Sequence, residues 1–566
     1  MSRWCVGSAR GSPTSRPTFC RCRLSGPAAR PLLVSVCNVE KLGAARRGQR
    51  VTMRLLPPLI AAALTTLAAA AAADEPPAST PLTLSTPAAG SDLPDMGSPA
   101  AAVLSHTDEY RLGAMVAREL RDQNALLEDP EVSEYMSWVG LRLASQSAEG
   151  GRGFQYFVIK DPAINAFAVP GGFVFINAGT VLASSSESEL AGVMAHETAH
   201  VTQHHIARMI RDQQQQSLTS AAALLAAILL GALGGGQAIE GGIVAAQGMA
   251  AQHQINFTRD NEWEADRVGI GFLAGAGFDP NGMGEMFETM SRHEGLGATY
   301  IPAMLIDHPV TSDRIAEQRA RAAQFPPRKG KDSQSYELIR ERVRVLTATG
   351  DVDLAQAYAQ KLAHGRATLG SRYGEALALI SGNRAEEAVR ILAPLVQQHE
   401  GLTLLHVALA QAQAKAGHTS EALATFRHAQ ELFPRNVPVT VRYAETLMAA
   451  GRPADAHDML LDLFNNVPPT PDQIRLTALA ASAAGDAGDA YFYMGEYQIS
   501  GGDLALAAQQ LQLALASPNI SSIQRQRYQA RLDEVREYLA SIRKRRVTEG
   551  GDNQGQQPSG PRGGGR

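Results

Sequence analysis

The residues whose types and spacing most clearly indicate a catalytic function lie between Ala195 and Val201, where the chain reads His-Glu-Thr-Ala-His. Two histidines four positions apart on a helix are rotated by roughly 40° and raised by roughly 6 Å, so both imidazoles can reach one metal ion. A zinc ion held by His196 and His200 would lower the pKa of a bound water, and Glu197 is placed to take its proton. The pattern predicts peptide-bond hydrolysis. The alternative is a solvated helix with two incidental histidines.

The surrounding sequence favours a helix and supplies a third ligand. Residues 186–189 read Ser-Glu-Ser-Glu, a capping-box pattern that precedes an apolar-periodic run. A catalytic zinc ion usually takes three protein ligands and keeps one open position. On a second predicted helix Glu262 can complete the ligand set, and Asp266, one turn later, can accept a hydrogen bond from the outer nitrogen of a ligating histidine. Glu264 is expected to point elsewhere. A surface acidic helix is the alternative for this segment.

Three motifs in this order resemble those of the gluzincin peptidases that include HtpX and the CAAX prenyl protease. They are H-E-x-x-H from His196, E-x-x-x-D from Glu262 and H-P-x-T-x-x-R-I from His308. The resemblance covers roughly residues 100 to 545 and is greatest to the soluble periplasmic branch with a C-terminal tetratricopeptide array. It implies that His196, His200 and Glu262 hold one zinc ion per chain, with Glu197 as the base and Asp266 as the partner of a ligand.

The resemblance also places His308 over the metal. Pro309 pushes His308 out of helical geometry, so a loop can present its imidazole to the cleft. Two roles remain open: a fourth ligand that holds the enzyme latent, or a hydrogen-bond donor that stabilises the oxyanion. We favour the latch, because the glycine-containing connection at 295–297 gives the loop room to move.

Three short apolar segments at 154–159, 166–169 and 173–176 are predicted to be strands, with Pro-Gly-Gly as the turn before the third. The family resemblance implies that a strand here lies beside the metal helix and binds extended substrate by edge pairing. The residues assigned to that role are Asn165, Ala166 and Phe167. A core sheet without a substrate role is the alternative, above all for Phe173 and Phe175.

The first hundred residues predict secretion. Residues 1–52 hold ten basic residues, one acidic residue and all four cysteines, without periodicity, and are interpreted as a non-native extension. From Met53 a basic start, an apolar stretch and an Ala-x-Ala site form a signal peptide, residues 53–73, cleaved after about Ala73. A membrane anchor is the alternative, but the segment is short for one. Residues 74–103 are predicted to be a flexible lead-in, and the protein is expected in the periplasm.

Removing residues 1–73 changes the charge and the cysteine content. The 52 basic and 56 acidic residues become 41 and 55, a formal charge of −14, and no cysteine remains. An acidic protein is not expected to bind nucleic acid, because phosphate binding needs clustered lysines and arginines. Without cysteine, the zinc site must be built from histidine and glutamate.

The segment 217–239 is free of charge and rich in alanine. It is short for a spanning helix, which needs about 20 predominantly apolar residues. We predict a helical hairpin that covers the cleft or lies against a membrane surface, which would give peripheral membrane contact. A transmembrane pair is the alternative.

The C-terminal half predicts a repeat array. Gly417 and Gly451 lie 34 residues apart, the tetratricopeptide period, and the alanines and prolines that follow them stand at the same offsets. Such helix pairs stack into a solenoid with a concave surface, whereas a generic helical bundle is the alternative. The predicted organisation is an α+β zincin-type protease domain at 104–326, an all-α tetratricopeptide solenoid at 335–546 and a disordered tail at 547–566.

Two function classes follow. The first is a periplasmic zinc metalloendopeptidase, and the second is an assembly chaperone in which the repeats act as a scaffold and proteolysis is dispensable. The intact Glu197 favours the enzyme. The family resemblance implies both assembly of outer-membrane β-barrel proteins and degradation of stalled ones. It also implies the barrel-assembly and lipopolysaccharide-transport machinery as partners.

Overall fold

The computed structural model describes residues 105–148, 150–151, 153–212, 249–295, 308–326, 332–349, 353–365 and 367–551. All of them lie within one unit of the fold, Asp74–Arg566. Several segments assigned from the sequence therefore lie outside the described residues: 1–52, 53–73, 74–103, 217–239 and the loop before His308, residues 296–307.

The N-terminal part of the described chain combines helices with a small sheet. Helix α4 carries the two histidines of the first motif, and α6 carries the acidic motif. In chain order the elements are α1 (His106–Asp122), α2 (Pro130–Ala144), β1 (Gln155–Ile159), β2 (Ala166–Val169), β3 (Phe173–Asn177), α3 (Ala178–Ala183), α4 (Glu187–Thr202), α5 (His205–Asp212), α6 (Met249–Gly275), α7 (Asn281–Gly295) and α8 (Ser312–Ala322).

The sheet has the order β1-β3-β2. Strand β3 is central and buried along its whole length, pairing in parallel with β1 and antiparallel with β2. Strand β2 therefore lies at an edge of the sheet, and helix α4 packs beside it. This arrangement sets an edge strand next to the helix of the first motif.

Helix α4 begins where the capping pattern predicts. The Ser186 side chain accepts a hydrogen bond from the Glu189 backbone N–H at 3.1 Å, and the first thirteen residues of the helix are buried. Close approach of α7 depends on a glycine, because a Cβ on Gly192 would lie 2.7 Å from the Met283 Cα. Helices α6 and α7 consequently pack tightly against α4 and hold it in the interior.

In the described residues the C-terminal part contains helices and no strand, and successive helices pack against each other. Gly417, Gly451 and Gly485 follow one another at 34-residue intervals and have φ angles of +88°, +74° and +88°. Gly485 extends the repeat beyond the two glycines noted in the sequence. The helices are α9 (Gln334–Leu346), α10 (Leu354–His364), α11 (Leu369–Ser381), α12 (Ala385–Gln398), α13 (Thr403–Lys415), α14 (Thr419–Leu432), α15 (Val437–Ala449), α16 (Pro453–Phe464), α17 (Pro471–Ala484), α18 (Ala487–Ser500), α19 (Leu504–Ala516) and α20 (Ser522–Gly551).

The predicted fold class is confirmed: a mixed domain with a small sheet precedes an all-helical array of repeats. The sequence predicts a disordered tail from Val547, and in the structure α20 extends to Gly551. No helix in the described ranges is both long enough and apolar enough to span a bilayer.

One hydrophobic core joins the two parts of the chain. The same cluster contains Met136 and Leu190 from the N-terminal part and Tyr336, Tyr373 and Leu405 from the helical array. Burial of apolar surface stabilises a fold roughly in proportion to the area removed from water. The repeat array is thus packed onto the sheet-containing part rather than tethered to it.

A buried ion cluster marks the centre of this contact. Arg342 of α9 donates two hydrogen bonds to Asp129, one to each carboxylate oxygen, both at 2.7 Å. Arg442 of α15 lies 2.8 Å from Asp129 and 2.9 Å from Glu131. Asn436, at the start of α15, donates to Glu134 at 2.9 Å. Two helices of the array therefore contact the start of α2. Burial acts to raise the pKa of Asp129, but the two arginines outweigh it and lower the pKa to about 2.

Glu134 provides a pH-dependent test of this contact. Burial raises its pKa to about 7, so the folded carboxyl keeps its proton where an unfolded glutamate has already ionised. Folding then binds a proton, and stability falls as the pH rises from about 5 to 8. We expect Glu134→Gln, which has no proton to lose, to unfold at nearly the wild-type temperature at pH 5 and at a higher temperature at pH 8.

The control is Glu119→Gln, which makes the same chemical change at an exposed position of α1, away from this contact. Thermal unfolding followed by circular dichroism at both pH values measures the effect. An equal difference between Glu134→Gln and wild type at pH 5 and pH 8 would contradict the assignment.

Candidate metal centre

The two histidines of α4 meet in the interior. His196 is fully buried, and its Nε2 lies 3.1 Å from the Nε2 of His200. The two rings meet edge-on with centroids 4.7 Å apart. One helical turn thus sets two imidazole nitrogens at one point, as the spacing of the motif predicts.

Helix α6 brings a carboxylate to the same point. Glu262 is 3% exposed. Its Oε2 lies 3.4 Å from the Nε2 of His196, and its Oε1 lies 3.4 Å from the Nε2 of His200. The residues come from distant parts of the sequence, and the tight packing of α4 against α6 brings them together.

His308 completes the group from the loop before α8. Its Nδ1 lies 2.8 Å from Glu262 Oε1 and 3.4 Å from His196 Nε2. Its Nε2 faces Glu197, with 3.8 Å to Oε1. The imidazole therefore lies between the histidines of α4 and the glutamate of the same motif.

These four side chains can hold a metal ion. One ligand atom from each of His196, His200, Glu262 and His308 lies within 4.8 Å of the others. Ligands at zinc–nitrogen distances of about 2.0–2.1 Å in a tetrahedron stand about 3.4 Å apart. The separations of 3.1 Å and 3.4 Å among the first three residues fit this arrangement. Three imidazoles and a carboxylate are also a donor set that suits zinc.

Asp266 and Arg314 contact the four-residue group from behind His196 and Glu262. Asp266 Oδ1 lies 3.0 Å from the outer nitrogen of His196, Nδ1. Arg314 donates to both oxygens of Asp266 at 2.7 and 2.8 Å, and its Nη1 lies 3.1 Å from Glu262. Arg314 thus balances two buried carboxylates.

The sequence contained a signal for Arg314 in the H-P-x-T-x-x-R-I motif, but no role followed from it. In the structure Thr311 caps α8 by accepting from the backbone N–H of Arg314 at 3.3 Å. The side chain of Arg314 therefore extends from the first turn of α8 into the interior, towards Asp266 and Glu262. Its guanidinium also lies over the Phe287 ring at 4.9 Å.

The pKa values within the group diverge. Burial opposes protonation of His196, but the carboxylates of Asp266 and Glu262 outweigh it and raise its pKa to about 10. Burial lowers the pKa of His200 to about 3, with His196 and His308 acting in the same direction. Burial also acts to raise the pKa of Glu262, but His308 and the other histidines hold it well below its usual range. The carboxylates of Glu262 and Asp266 are both held in the ionised form, and they favour a positive charge beside them, as a metal cation requires.

A further contact lies behind His200 and was not foreseen. Its outer nitrogen, Nδ1, is 2.8 Å from the Nδ1 of His205. The other nitrogen of His205 lies 3.3 Å from Glu264. Glu264 does not belong to the four-residue metal group, but it is connected to that group through His205.

The proposed substrate strand lies at the sheet edge, next to α4. Asn165 accepts a hydrogen bond through its carbonyl from the Asn177 N–H at 2.9 Å. In an antiparallel ladder hydrogen-bonded pairs alternate, so the Phe167 backbone faces β3 and the backbone groups of Ala166 and Ala168 face outward. The Phe167 side chain stacks on Phe175 in the core, with ring centroids 5.0 Å apart.

Asn165 has a different environment from its two neighbours. It precedes β2, is 1% exposed, and neither atom of its side-chain amide has a hydrogen-bond partner. Such groups are rare, because a buried polar atom without a partner costs free energy.

Comparison with known proteins gives the class first. Residues 130–322 match the model of peptidase family M48, and residues 413–480 match a tetratricopeptide repeat. The mitochondrial metalloendopeptidase OMA1 of Schizosaccharomyces pombe is 32% identical over 181 residues, which are 32% of this chain and 50% of that protein. The fold and the site are those of a metallopeptidase with a C-terminal tetratricopeptide array.

Relatives that match along most of the chain are more specific. The beta-barrel assembly-enhancing protease of Escherichia coli is 31% identical over 451 residues, 79% of this chain and 91% of that protein. The corresponding protein of Yersinia pestis is 29% identical over 454 residues, 80% of this chain and 93% of that protein. The chain belongs to the family of beta-barrel assembly-enhancing proteases.

Replacing Arg314 should destabilise the metal-free protein. Arg314→Leu leaves Asp266, which is 0% exposed, without its main cation. Removing one partner of a buried ion pair costs about 3–5 kcal/mol. Arg319→Leu, on the exposed face of the same helix, is the matched control and should change stability little. Urea denaturation of chelator-treated protein measures both, and a similar small loss for the two variants would contradict the role of Arg314.

Proposed function

We propose that this chain is a periplasmic zinc metalloendopeptidase that hydrolyses misfolded or stalled outer-membrane β-barrel proteins and assists their assembly. The observation that carries the proposal is the convergence of His196, His200 and Glu262, with Glu197 beside them. The names of its relatives support the choice of substrate class. The signal-peptide pattern at 53–73 supports the periplasm.

His196, His200 and Glu262 are the proposed ligands of one zinc ion per chain. All three are neutral or anionic donors that a zinc ion accepts, and their mutual distances fit a tetrahedral site. Asp266 would accept the outer N–H of His196, which fixes the tautomer that leaves Nε2 free for the metal. Arg314 would hold Asp266 in place.

Glu197 is the proposed general base. A bound zinc ion supplies Lewis-acid activation of water. Glu197 follows the first ligand on α4 and is 1% exposed, so its carboxylate acts in a dry environment. It would take the proton of the attacking water and deliver it to the leaving amine of the cleaved peptide.

The outward backbone groups of Ala166 and Ala168 are the proposed docking points for substrate. An extended peptide that adds to β2 would pair with them as a further strand and run beside α4. Asn165, at the end of this edge, has a side-chain amide without a partner that a substrate carbonyl or N–H could satisfy. Phe167 would support the strand from the core rather than contact substrate, because its side chain is stacked on Phe175.

His308 is the proposed latch. Its Nδ1 occupies the side of the ligand group that remains after His196, His200 and Glu262, and its Nε2 faces the proposed base. In this position the imidazole lies between the proposed ligand Glu262 and Glu197, where it would compete with a catalytic water for a bound zinc ion. Opening of the loop that carries His308 would then admit water and substrate. A role as oxyanion donor is the alternative.

The repeat array is proposed to recruit clients and to dock the enzyme on the barrel-assembly and lipopolysaccharide-transport machinery. Tetratricopeptide arrays bind protein segments, and the array here packs directly on the protease region. Helix α15 contacts α2 through Arg442, so part of the array's surface already holds the protease region and is not open to a partner. A non-proteolytic scaffold is the second candidate function.

The test of the base is Glu197→Gln. Glutamine keeps the shape of the side chain but cannot accept the proton, so hydrolysis should fall at least about 100-fold while zinc stays bound. Casein or misfolded barrel protein serves as substrate, and zinc content is measured on the same samples. Loss of zinc together with activity would assign Glu197 to the ligands instead, and unchanged cleavage would contradict the enzyme mechanism. If wild type cleaves neither substrate, the scaffold function gains support.

The test of the latch is His308→Ala. Removing the imidazole opens the fourth position, so a latch variant should cleave substrate faster than wild type and digest itself. Loss of an oxyanion donor should instead lower turnover by about 100-fold or more. Initial rates on casein, with zinc content measured in parallel, separate the two roles. A variant that binds zinc normally and cleaves more slowly would make His308 a catalytic residue.

A further inference from the structure

The two histidines of α4 have different support behind them. The outer nitrogen of His196 meets a carboxylate, Asp266, at 3.0 Å. The outer nitrogen of His200 meets another imidazole, that of His205, at 2.8 Å. A ligating histidine usually donates its second ring N–H to a neighbour that orients the ring. His205 is therefore in the position that such a neighbour of His200 occupies.

The local fold explains how His205 reaches this position. In an uninterrupted helix, residues five apart are rotated by about 140° and lie on different faces. Helix α4 ends at Thr202, and His204 adopts a φ of +50°. This left-handed residue breaks the helix, and α5 starts at His205. The break turns the chain so that His205, which is 4% exposed, lies back against His200.

The hydrogen-bond partners define one consistent set of protons. If the Nε2 of His200 binds a metal, its Nδ1 carries the hydrogen and must donate it. The Nδ1 of His205 must then accept, which leaves the hydrogen of His205 on Nε2. That nitrogen lies 3.3 Å from Glu264 Oε2, an acceptor. Arg208 donates to the same oxygen at 2.8 Å and holds Glu264 in place.

We propose that His205 and Glu264 are positioning residues that orient His200 for metal binding, through the chain of contacts from His200 to His205 to Glu264 to Arg208. The inference rests on the proposed role of His200 as a zinc ligand. It adds two residues outside the four-residue metal group: His205, which contacts His200, and Glu264, which contacts His205. Their effect is on metal affinity and ligand geometry, because neither side chain reaches the reacting atoms.

The experiment compares two substitutions at His205 in the otherwise intact protein. Asparagine places its side-chain oxygen near the position of the histidine Nδ1 and can still accept from His200. Leucine fills similar space but accepts nothing. Loss of a partner behind a metal ligand typically costs 10–100-fold in affinity. We expect His205→Leu to bind zinc about 10–100-fold more weakly than wild type and His205→Asn to recover most of that loss.

Zinc affinity is measured by competition with a chromogenic chelator. The absorption spectrum of the cobalt-substituted protein reports the ligand geometry independently of activity. His406→Leu is the matched control, because His406 is also buried, with 1% of it exposed, but lies in the repeat array. Its zinc affinity and cobalt spectrum should equal those of wild type.

Wild-type zinc affinity and an unaltered cobalt spectrum in His205→Leu would overturn the proposal, as would equal losses in His205→Leu and His205→Asn. If His205→Leu does not fold, Glu264→Ala tests the same chain of contacts, and wild-type zinc affinity in that variant would overturn it. Failure of wild type itself to bind zinc would instead refute the proposed function. The two failures are therefore distinguishable.

Discussion

The contact between α4 and α6 sets a carboxylate against two imidazoles in the interior, and the site depends on balancing the charges there. Glu262 and Asp266 are one helical turn apart and are both buried. Two buried carboxylates side by side would repel each other and would each lose their hydration. Arg314 resolves this, because its guanidinium reaches both of them. His308 lies just before the helix that supplies Arg314, so the charge balance and the proposed latch share one segment.

The support of the two histidines is unequal. His196 is held by an anionic partner and has a raised pKa, whereas His200 is held by a neutral imidazole and has a lowered one. A carboxylate behind a ligating histidine increases its basicity, whereas an imidazole is a weaker acceptor. The site therefore combines one histidine with a carboxylate behind it and one with an imidazole behind it, and burial is the main cause of the lowered pKa of His200.

The repeat array contributes to the fold as well as to the proposed recruitment of clients. Its first helices share a core with α2 and α4, and the arginines of α9 and α15 pair with the acidic start of α2. Such a buried ion cluster gains little net free energy relative to an apolar contact, but losing one partner is costly. The cluster therefore favours a single orientation of the array on the protease region. Helix α2 also packs against α4, so a single helix separates the repeat array's ion cluster from the helix that carries His196 and His200.

The sequence by itself determined the features that local patterns encode. The H-E-x-x-H spacing predicts two nitrogens on one helical face, Ser186 predicts the start of that helix, and the interval between Gly417 and Gly451 predicts the helix pairs. Each of these depends on residues within one helix or one repeat. The start of α2 as an acidic anchor, the role of Arg314 and the contact of His205 with His200 were not predicted. These depend on which distant elements pack together, or, for His205, on a left-handed residue at the end of a helix. Glu264 shows the limit most clearly. Its helical position indicates that it lies off the metal face, and only its contact with His205 of α5 in the folded chain connects it to the site.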